Sequence, residues 1–379
     1  MDHPSPPVLT VVVVAYGMTR ELPRTLHSLS PAYQRGIDAA DYEVVVVDNG
    51  SPVPLDDIVA GAPFDARLIR LDPAPASPAR AANVGVDAAQ GGLVGVIMDG
   101  ARLASPGLLA TALLGARLAD RAVVTAPAYH LGPATHMRAA ETGYDQTVED
   151  RLLEETDWTE DGYRLLGCST FAGSSHRGWF GAKSESSSLF LSRELWRELG
   201  GYDEAFDLPG GGLVNHDLYH RACAHPGTTL VQLLAEGTFH QIHGGAATSR
   251  RFSWAEMDAQ YEALRGRPFR ELATEPIYVG RVPAEALGAL ERSVRLALDR
   301  VGRTGEPLRA TTHLRRHRRH VVAEQRREPP GLGDVAVEAV ALVLREHDDL
   351  QVARVREVRQ DEVDDAVRPT EGHGRLGPV

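Results

Sequence analysis

The sequence predicts an α/β fold in which helices flank a Rossmann-like, mostly parallel central sheet. Apolar runs alternate with helical patterns from the amino terminus to residue 126. The runs are continuously apolar, which is typical of strands that are covered on both faces. Two of them end in an acidic residue followed by a glycine or by Asn-Gly. Ligands of such sheets bind at the carboxyl ends of the strands.

The first strand and helix come from residues 8–29. Residues 8–15, VLTVVVVA, are β-branched throughout and predict a buried strand. Thr19 can cap a helix that runs to about Leu29. Residues 42–47, YEVVVV, predict a second strand that ends in Asp48. A strand, a helix and a strand with an acidic turn form a nucleotide-binding half of an α/β fold.

The pattern continues as strand, helix and strand up to residue 126. Residues 67–71 predict a third strand, and a helix carrying Arg80 and Asn83 follows from Ala79. Residues 122–126 predict a further strand after the helix that begins at Ser105-Pro106. Because crossovers between parallel strands are right-handed, we expect the strand ends to line up on one rim.

Asp99 is the most informative residue of this half. The apolar run of residues 93–98 ends abruptly in Asp99 and Gly100. A carboxylate at that place can hold a ribose hydroxyl or a divalent cation that carries a diphosphate. Asp-Gly is also a common turn signal, so an ordinary turn residue is the alternative interpretation. We expect Tyr16, Asp48 and Asp99 to share the rim.

Residues 127–183 are irregular and rich in aromatic side chains and histidines. Long irregular segments in enzymes often form substrate lids or walls, and a plain insertion without a ligand role is the alternative. Residues 187–191 and 192–199 then predict a strand and a capped helix.

Asp217 and two histidines are further candidates. The triple glycine of residues 210–212 precedes a helix that begins near Asn215, with Asp217 in its first turn. A first-turn aspartate also fits the helix dipole. His240 and His243 are three residues apart, so they reach one site only if the chain turns. A structural role is the alternative for either histidine.

Composition limits the function classes. The net charge of −12 argues against nucleic-acid binding. Cys168 and Cys223 are the only cysteines and make neither a disulfide framework nor a metal knuckle, so a cytoplasmic location is predicted. No apolar run approaches the ~18 residues of a membrane span, and peripheral membrane contact stays open.

The predicted domains follow these changes of pattern. Residues 1–250 form the main domain, with a nucleotide-binding half at 1–126 and an acceptor and catalytic half at 127–250. Residues 251–301 form a C-terminal helical extension that begins with a capping box, Ser253 and Glu256. Residues 302–379 are a low-complexity tail rich in Arg, Glu and Val, which is predicted to be poorly ordered.

Seven segments occur in a fixed order: VVVVAYGM, VVVVDNGS, RAANVGVDAAQG, VGVIMDGA, ELGGYDEAFD, GGGLVNHDLYHRA and FHQIHGG. In this order and spacing, the chain resembles an inverting family 2 glycosyltransferase with a GT-A fold. The resemblance covers about residues 8–245. It implies a hexosyltransferase-type enzyme that moves a sugar from a nucleotide-diphosphate donor to an acceptor hydroxyl with inversion.

The resemblance also implies roles for single residues. The residues that match nucleotide-sugar contacts are Ala15, Tyr16, Asp48, Arg80, Asn83, Asp99 and Gly100. Asp99 matches the first acidic residue of the Asp-x-Asp signature, and Ala101 replaces the second. The implied cation, Mn²⁺ or Mg²⁺, would then rest on Asp99 with His240 or His243.

The general base has two alignments. Aligning on Arg221 places Asn215 at the base position, whereas aligning on the acidic pair places Asp217 there. Asp217 is favoured because asparagine cannot take a proton. The carboxylates of Asp48, Asp99 and Asp217 are then expected to converge on one cleft.

The resemblance further implies cytoplasmic cell-envelope or polysaccharide biosynthesis, with a glycan, a lipid-linked compound or a small molecule as acceptor. A noncatalytic sugar-nucleotide or glycan-binding relative is the alternative that Ala101 and Asn215 suggest. A sugar-nucleotide pyrophosphorylase is disfavoured because the first strand lacks a glycine-rich basic loop after it. A dinucleotide oxidoreductase is disfavoured because no G-x-G-x-x-G follows that strand.

Overall fold

The computed structural model describes residues 7–244, 253–272, 274–304, 322–323, 337–342 and 353–358. The chain forms two compact units, Met1–Ser293 and Val294–Val379. Each unit is described by itself.

The strands of the first unit are β1 (Leu9–Ala15), β2 (Tyr42–Asp48), β3 (Ala66–Arg70), β4 (Leu93–Ile97), β5 (Arg102–Ala104), β6 (Ala122–Thr125), β7 (Ala128–Leu131), β8 (Ser169–Phe171), β9 (Ser188–Ser192), β10 (Thr229–Leu234), β11 (Thr238–His240) and β12 (Ile277–Gly280). The helices are α1 (Leu22–Ser28), α2 (Asp56–Ala60), α3 (Ala79–Ala88), α4 (Leu108–Ala116), α5 (His136–Glu141), α6 (Gln146–Thr156), α7 (Arg193–Leu199), α8 (Val214–Ala224), α9 (Trp254–Arg265) and α10 (Leu287–Thr304), the last of which continues into the second unit.

The large sheet of this unit has the strand order β12-β10-β6-β9-β4-β1-β2-β3. Neighbouring strands are parallel except at β9, which runs antiparallel to both β4 and β6. Every residue of β1 and β4 is buried, as the continuous apolar runs predict. The predicted α/β class with a mostly parallel central sheet is therefore confirmed.

Apolar residues pack on both faces of this sheet. Helices α1, α2 and α4 cover one face, where Leu26 and Leu109 are buried. Helices α3, α7, α8 and α9 supply the core on the other face, with Trp196 and Tyr261 fully buried. Helix α3 approaches the sheet closely because Gly85 has no side chain, and a Cβ there would lie 2.2 Å from Val12. The two-sided cover explains why these strands are apolar throughout rather than alternating.

A second, smaller sheet has the order β5-β11-β7-β8. Residues directly opposite each other on neighbouring strands share a face, so the register defines two rows. One row is polar and consists of Arg102, His240, His130 and Thr170. The other row is apolar and consists of Leu103, Phe239, Tyr129 and Phe171. The ring of Tyr129 stacks on those of Phe171 and Phe239, so the apolar row forms a core of its own.

Residues 127–183 therefore contain more regular structure than their sequence predicts. They hold β7, β8, α5 and α6, and Asp145 caps α6 by accepting a hydrogen bond from the Val148 amide. The strands have only three or four residues each, which is too short to show an alternating pattern.

The C-terminal part is described only in segments. Helix α9 begins with the predicted capping box, in which Ser253 and Glu256 exchange hydrogen bonds. In the second unit, residues 337–342 and 353–358 pair as an antiparallel hairpin. The rest of the tail, for which poor order is predicted, lies outside the described residues. Among the described helices, none has both the length and the apolar character that crossing a membrane requires.

Candidate active site

Three side chains meet at the carboxyl end of β4. Asp99 follows that strand, and its Oδ2 lies 2.9 Å from Nε2 of His240 and 3.2 Å from Nε2 of His243. The two Nε2 atoms are 3.0 Å apart. The three donor atoms thus form a nearly equilateral triangle, which we call the Asp99 triangle.

The chain reaches this arrangement by turning after His240. Strand β11 ends at His240, and residues 241–244 no longer belong to a strand. On a continued strand, His243 would point away from His240. From the sequence, the two histidines can reach one site only if the chain turns between them, and the structure contains this turn.

The electrostatics of the triangle suit a ligand set. Burial alone would raise the pKa of Asp99, but the nearby charges of His243 and His240 and their hydrogen bonds hold that pKa well below its usual value. Burial, together with the Arg102 guanidinium, lowers the pKa of His240 to about 4. At neutral pH, His240 therefore keeps a lone pair beside an ionised carboxylate. Burial opposes protonation of His243, yet Asp99 raises its pKa overall.

The triangle has the dimensions of one face of a cation's coordination shell. In an octahedral shell with donors at about 2.1 Å from the cation, neighbouring donors are at right angles and lie about 3.0 Å apart. The three distances of 2.9, 3.2 and 3.0 Å match that spacing. Ala101, whose methyl group is buried, adds no ligand at the second position of the Asp-x-Asp signature. The residues present fit a divalent cation with three protein ligands.

Two more histidines adjoin the triangle: His130 on the polar row of the small sheet and His136 at the start of α5. Nitrogens of His130, His136 and His240 lie within 4.8 Å of one another. His130 Nδ1 accepts a hydrogen bond from the His136 amide at 2.8 Å, so the neutral His130 ring carries its proton on Nε2. Burial lowers the pKa of both residues, to about 3 for His136. His130, His136 and Arg102 are not among the site residues that the sequence predicts; the register of the small sheet reveals His130 and Arg102, and the contacts of α5 reveal His136.

Asp48 lies at the end of β2, but its side chain does not face a ligand. It is 0% exposed. Its Oδ1 accepts a hydrogen bond from the Ser51 amide at 2.7 Å, and its Oδ2 pairs with Arg70 at 3.0 Å. Both oxygens of Asp48 hold the loop after β2 in place, and the contact between this side chain and a nucleotide stays a prediction. Tyr16, at the end of β1, is 58% exposed.

Asn83 is also occupied within the protein. Its Oδ1 accepts a hydrogen bond from the Tyr202 amide at 2.8 Å, and its Nδ2 donates to the Tyr202 carbonyl and to Glu204, both at 2.9 Å. The predicted ribose or diphosphate contact of Asn83 is not supported, because its amide fixes the turn after α7. Arg80, one turn earlier on α3, is exposed.

Because Gly100 has no side chain, the segment after β4 lies close to the end of β1. A Cβ at Gly100 would lie 2.9 Å from the Cβ of Ala15. The Gly100 carbonyl accepts a hydrogen bond from Thr25 at 2.7 Å. Ala15 and Gly100 thus lie side by side at the rim, as the sequence predicts for strand ends.

Asp217 is sealed in the protein interior with 1% of its side chain exposed. Arg221 donates to its Oδ2 at 2.8 Å, and Arg265 donates to Oδ1 at 2.5 Å and to Oδ2 at 2.8 Å. A base must reach the proton it abstracts, and this carboxylate has both oxygens occupied by guanidinium groups. This geometry does not support a general-base role for Asp217, which stays a prediction. Its arginine partners line a cavity of about 650 Å³ next to Asn83.

The three carboxylates do not converge as expected. Asp99 remains accessible, whereas Asp48 and Asp217 are buried in separate ion pairs. Asn215, the other candidate for the base position, has an amide oxygen that is buried and has no hydrogen-bond partner among the described residues. The candidate active site is thus centred on Asp99 and the two histidines from the segment after β11.

Comparison with solved structures finds similarity to S. aureus TarS. TarS 1-349 in complex with UDP-GlcNAc has a TM-score of 0.45 and 14% identity, covering 78% of this chain and 72% of that chain. TarS 1-349 has a TM-score of 0.42 and 13% identity, covering 77% and 82%. A longer TarS structure has a TM-score of 0.42 and 12% identity over 67% of this chain, which spans only 42% of that TarS chain.

Comparison with curated protein sequences finds no significant match. Among protein families, the profile described as "Glycosyl transferase family 2" matches residues 10–178. This stretch runs from β1 past β8 and includes Asp99. The match agrees with the motif series in the sequence and with the α/β architecture expected of a GT-A fold. Residues 10–178 of the chain are therefore similar to glycosyl transferase family 2.

Proposed function

We propose that the protein transfers a sugar from a nucleotide-diphosphate donor to an acceptor hydroxyl with inversion at the anomeric carbon. The family match supports glycosyl transfer. The observation that carries the proposal is the Asp99 triangle, which places a carboxylate and two imidazoles at the carboxyl end of a central strand. Ligands of α/β sheets bind at such strand ends.

Asp99, His240 and His243 would hold a divalent cation beside the donor diphosphate. When bound, the cation neutralises negative charge that develops on the leaving group. Two imidazoles in the ligand set favour a transition-metal ion such as Mn²⁺ over Mg²⁺, which prefers oxygen ligands. Arg102 lies opposite His240 in the strand register and adds positive charge to this corner. Tyr16, exposed at the end of β1, offers an aromatic face for stacking on the nucleobase.

The acceptor side belongs to residues 127–244 in this proposal. Acceptors of this class are glycans, lipid-linked compounds or small molecules, as in cell-envelope or polysaccharide biosynthesis. Neither Cys168 nor Cys223 forms a disulfide, which is consistent with a reducing cytoplasm. Because Asp217 is bound by two arginines, we do not assign it the removal of the acceptor proton.

A second candidate is a noncatalytic relative that binds a nucleotide sugar without transferring it. The sealed Asp217 and the asparagine at position 215 favour it, since neither side chain is placed to act as a base. The two candidates differ in turnover. Tight donor binding without transfer or donor hydrolysis, across a range of acceptors, would identify the noncatalytic relative.

The first experiment is a thermal-shift panel of nucleotide sugars, UDP-GlcNAc among them, with and without Mn²⁺. A donor that raises Tm only with Mn²⁺ is then tested for transfer, and the anomeric configuration of the product is determined by NMR. Asp99→Asn should abolish the Mn²⁺-dependent part of the shift. Retention of the donor's configuration in the product would refute inversion, and transfer that survives exhaustive chelation would refute the cation.

A further inference from the structure

The Asp99 triangle depends on a turn whose shape must be held. His240 Nε2 and His243 Nε2 meet the same oxygen of Asp99, although the two residues are only three apart in the chain. A small rotation of the intervening peptides would separate the two rings. The groups that fix residues 241 and 242 therefore decide whether the ligand set forms.

Gln241 is tied to the elements that also carry Asp99. Its amide donates to the Ala101 carbonyl at 2.8 Å. Its side chain donates to the Glu21 carbonyl at 3.1 Å, just before α1. These bonds hold the first half of the turn.

Ile242 is held by residues from two other parts of the chain. Glu149 on α6 is fully buried, and its Oε2 accepts a hydrogen bond from the Ile242 amide at 2.8 Å. Arg20 donates to the Ile242 carbonyl at 3.3 Å and pairs with Glu149 Oε1 at 3.3 Å. The Ile242 amide is thus bound by Glu149 and the Ile242 carbonyl by Arg20, and these two side chains also pair with each other.

Burial of a carboxylate is costly unless it is fully hydrogen-bonded. Glu149 meets that cost with the Ile242 amide, Arg20 and the Tyr144 hydroxyl, which lies 3.3 Å from Oε2. Only the Ile242 bond reaches the metal-binding turn directly. The formation of α6 does not require a buried charge. The hydrogen bond with the Ile242 amide therefore gives a reason for an acidic residue at position 149.

We propose that Glu149 is a positioning residue: by binding the Ile242 amide, it holds the turn in which His240 and His243 both face Asp99. This inference rests on the cation site of the proposed function. Partners that orient metal ligands typically contribute 10–100-fold to metal affinity. Glu149 touches neither the cation nor a sugar in this arrangement and acts through the backbone between the two histidines.

The test measures Co²⁺ binding to the full chain by calorimetry and by the visible absorption of the bound ion, which reports its ligand geometry. Glu149→Ala should weaken Co²⁺ binding about 10-fold or more and change the absorption spectrum. Glu149→Gln keeps an oxygen that can accept from Ile242, so its affinity should lie closer to that of the wild type. A purely structural role would lower Tm in both variants without changing the spectrum.

Two variants serve as matched controls. Asp150 lies next to Glu149 on α6 and pairs with Arg20 and Arg24. Asp150→Asn removes these two pairs but leaves the bond between Glu149 and Ile242. Glu236→Gln alters another buried carboxylate, whose partners are Ser105, Gly107 and Tyr163. Both should bind Co²⁺ with wild-type affinity at temperatures where they are folded.

The outcomes separate this inference from the proposed function. If the wild type binds no Co²⁺ or Mn²⁺, the cation site itself is wrong and this inference falls with it. If the wild type binds Co²⁺ and both Glu149 variants bind it equally well with the same spectrum, the cation site stands and the positioning role is refuted. If Glu149→Ala does not fold, Glu149→Met, which fills a similar space without a carboxylate oxygen to accept from Ile242, takes its place: weaker Co²⁺ binding and a changed spectrum relative to the two controls support the positioning role, and binding equal to theirs refutes it.

Discussion

Asp217 has both carboxylate oxygens bound by guanidinium groups, from Arg221 on its own helix and from Arg265 on α9. Arg265 also pairs with Asp203 at 2.7 Å, which ties α9 to the loop after α7. The carboxylate therefore neutralises two partly buried cations. Removing one partner of a buried ion pair leaves the others uncompensated in a medium that solvates them poorly.

Asp217→Asn should lower the free energy of unfolding by about 3–5 kcal/mol, the usual cost of breaking a buried ion pair from one side. Chemical denaturation measures this loss. Transfer activity per folded molecule should stay close to that of the wild type, because the carboxylate has no free oxygen to act as a base. A variant with wild-type stability and a 10²–10⁴-fold slower transfer would instead restore Asp217 as the base.

Motif positions alone could not reveal these individual roles. Asp48, Asn83 and Asp217 stand where the family resemblance implies ligand contacts, yet their partners come from Arg70, Tyr202 and Arg265. Arg70 and Arg265 lie outside the quoted motifs, and Tyr202 lies in a different motif from Asn83, 119 residues away. Asp99, His240 and His243, which the sequence also singles out, lie together in the structure, and the turn that joins the two histidines follows from contacts that no local pattern records.

Among the elements, the long strands were predictable and the short ones were not. Strands β1, β2 and β4 have five to seven residues that are buried on both faces, and β-branched runs of that length are distinctive. Strands β5, β7, β8 and β11 have three or four residues. They become strands only by pairing with each other across large separations in the chain, so their sequences carry little signal.

The connection between β10 and β11 shows how such short strands are fixed. Glu236 in this connection is fully buried and binds the Ser105 hydroxyl, the Gly107 amide at 3.2 Å and the Tyr163 hydroxyl at 2.7 Å. The Gly237 amide donates to Ser105 Oγ at 2.9 Å. The start of β11 is thereby attached to the start of α4.

Glu236 should make stability depend on pH. Burial, which outweighs its hydrogen bonds, raises the pKa of this carboxyl to about 7 from the ordinary value of 4.5. A raised pKa means that the folded state binds the proton more tightly, so this contribution to stability is complete below about pH 4.5 and is lost as the pH rises through about 7. Glu236→Gln, which cannot ionise, should remove that slope.

Denaturation of the wild type and of Glu236→Gln at several pH values between 4.5 and 8 measures the difference. The variant should gain stability relative to the wild type as the pH increases. Parallel curves for the two proteins would mean that Glu236 titrates at its ordinary pKa.

For the whole molecule, the candidate site and both sides of the main core lie within the first unit, Met1–Ser293. Helix α10 crosses the end of this unit, and its Ser293 hydroxyl accepts a hydrogen bond from the Trp179 amide at 3.1 Å. A truncation that respects the structure therefore comes after α10 rather than at residue 293.

A chain that ends at residue 304 should unfold in one cooperative transition and should bind the donor and Mn²⁺ as the full chain does. The reason is that it keeps the eight strands that the first unit contributes to the large sheet, its two layers of helices and the Asp99 triangle. Calorimetric unfolding and donor titration of the two proteins test this. A truncated chain that unfolds at a much lower temperature or loses donor binding would show that residues 305–379 contribute to the fold or to the site.

The alternation of polar and aromatic rows in the small sheet has an evolutionary consequence. Side chains of β11 switch faces with every residue, so deleting one residue before Thr238 would turn His240 toward Tyr129 and Phe171 and turn Phe239 toward Asp99. The connection between β10 and β11 cannot shift to compensate for the deletion, because Glu236 and Gly237 are both hydrogen-bonded to Ser105. Homologues should therefore tolerate replacements along this connection more readily than insertions or deletions, and a change in its length marks a lineage that has lost the arrangement of Asp99, His240 and His243.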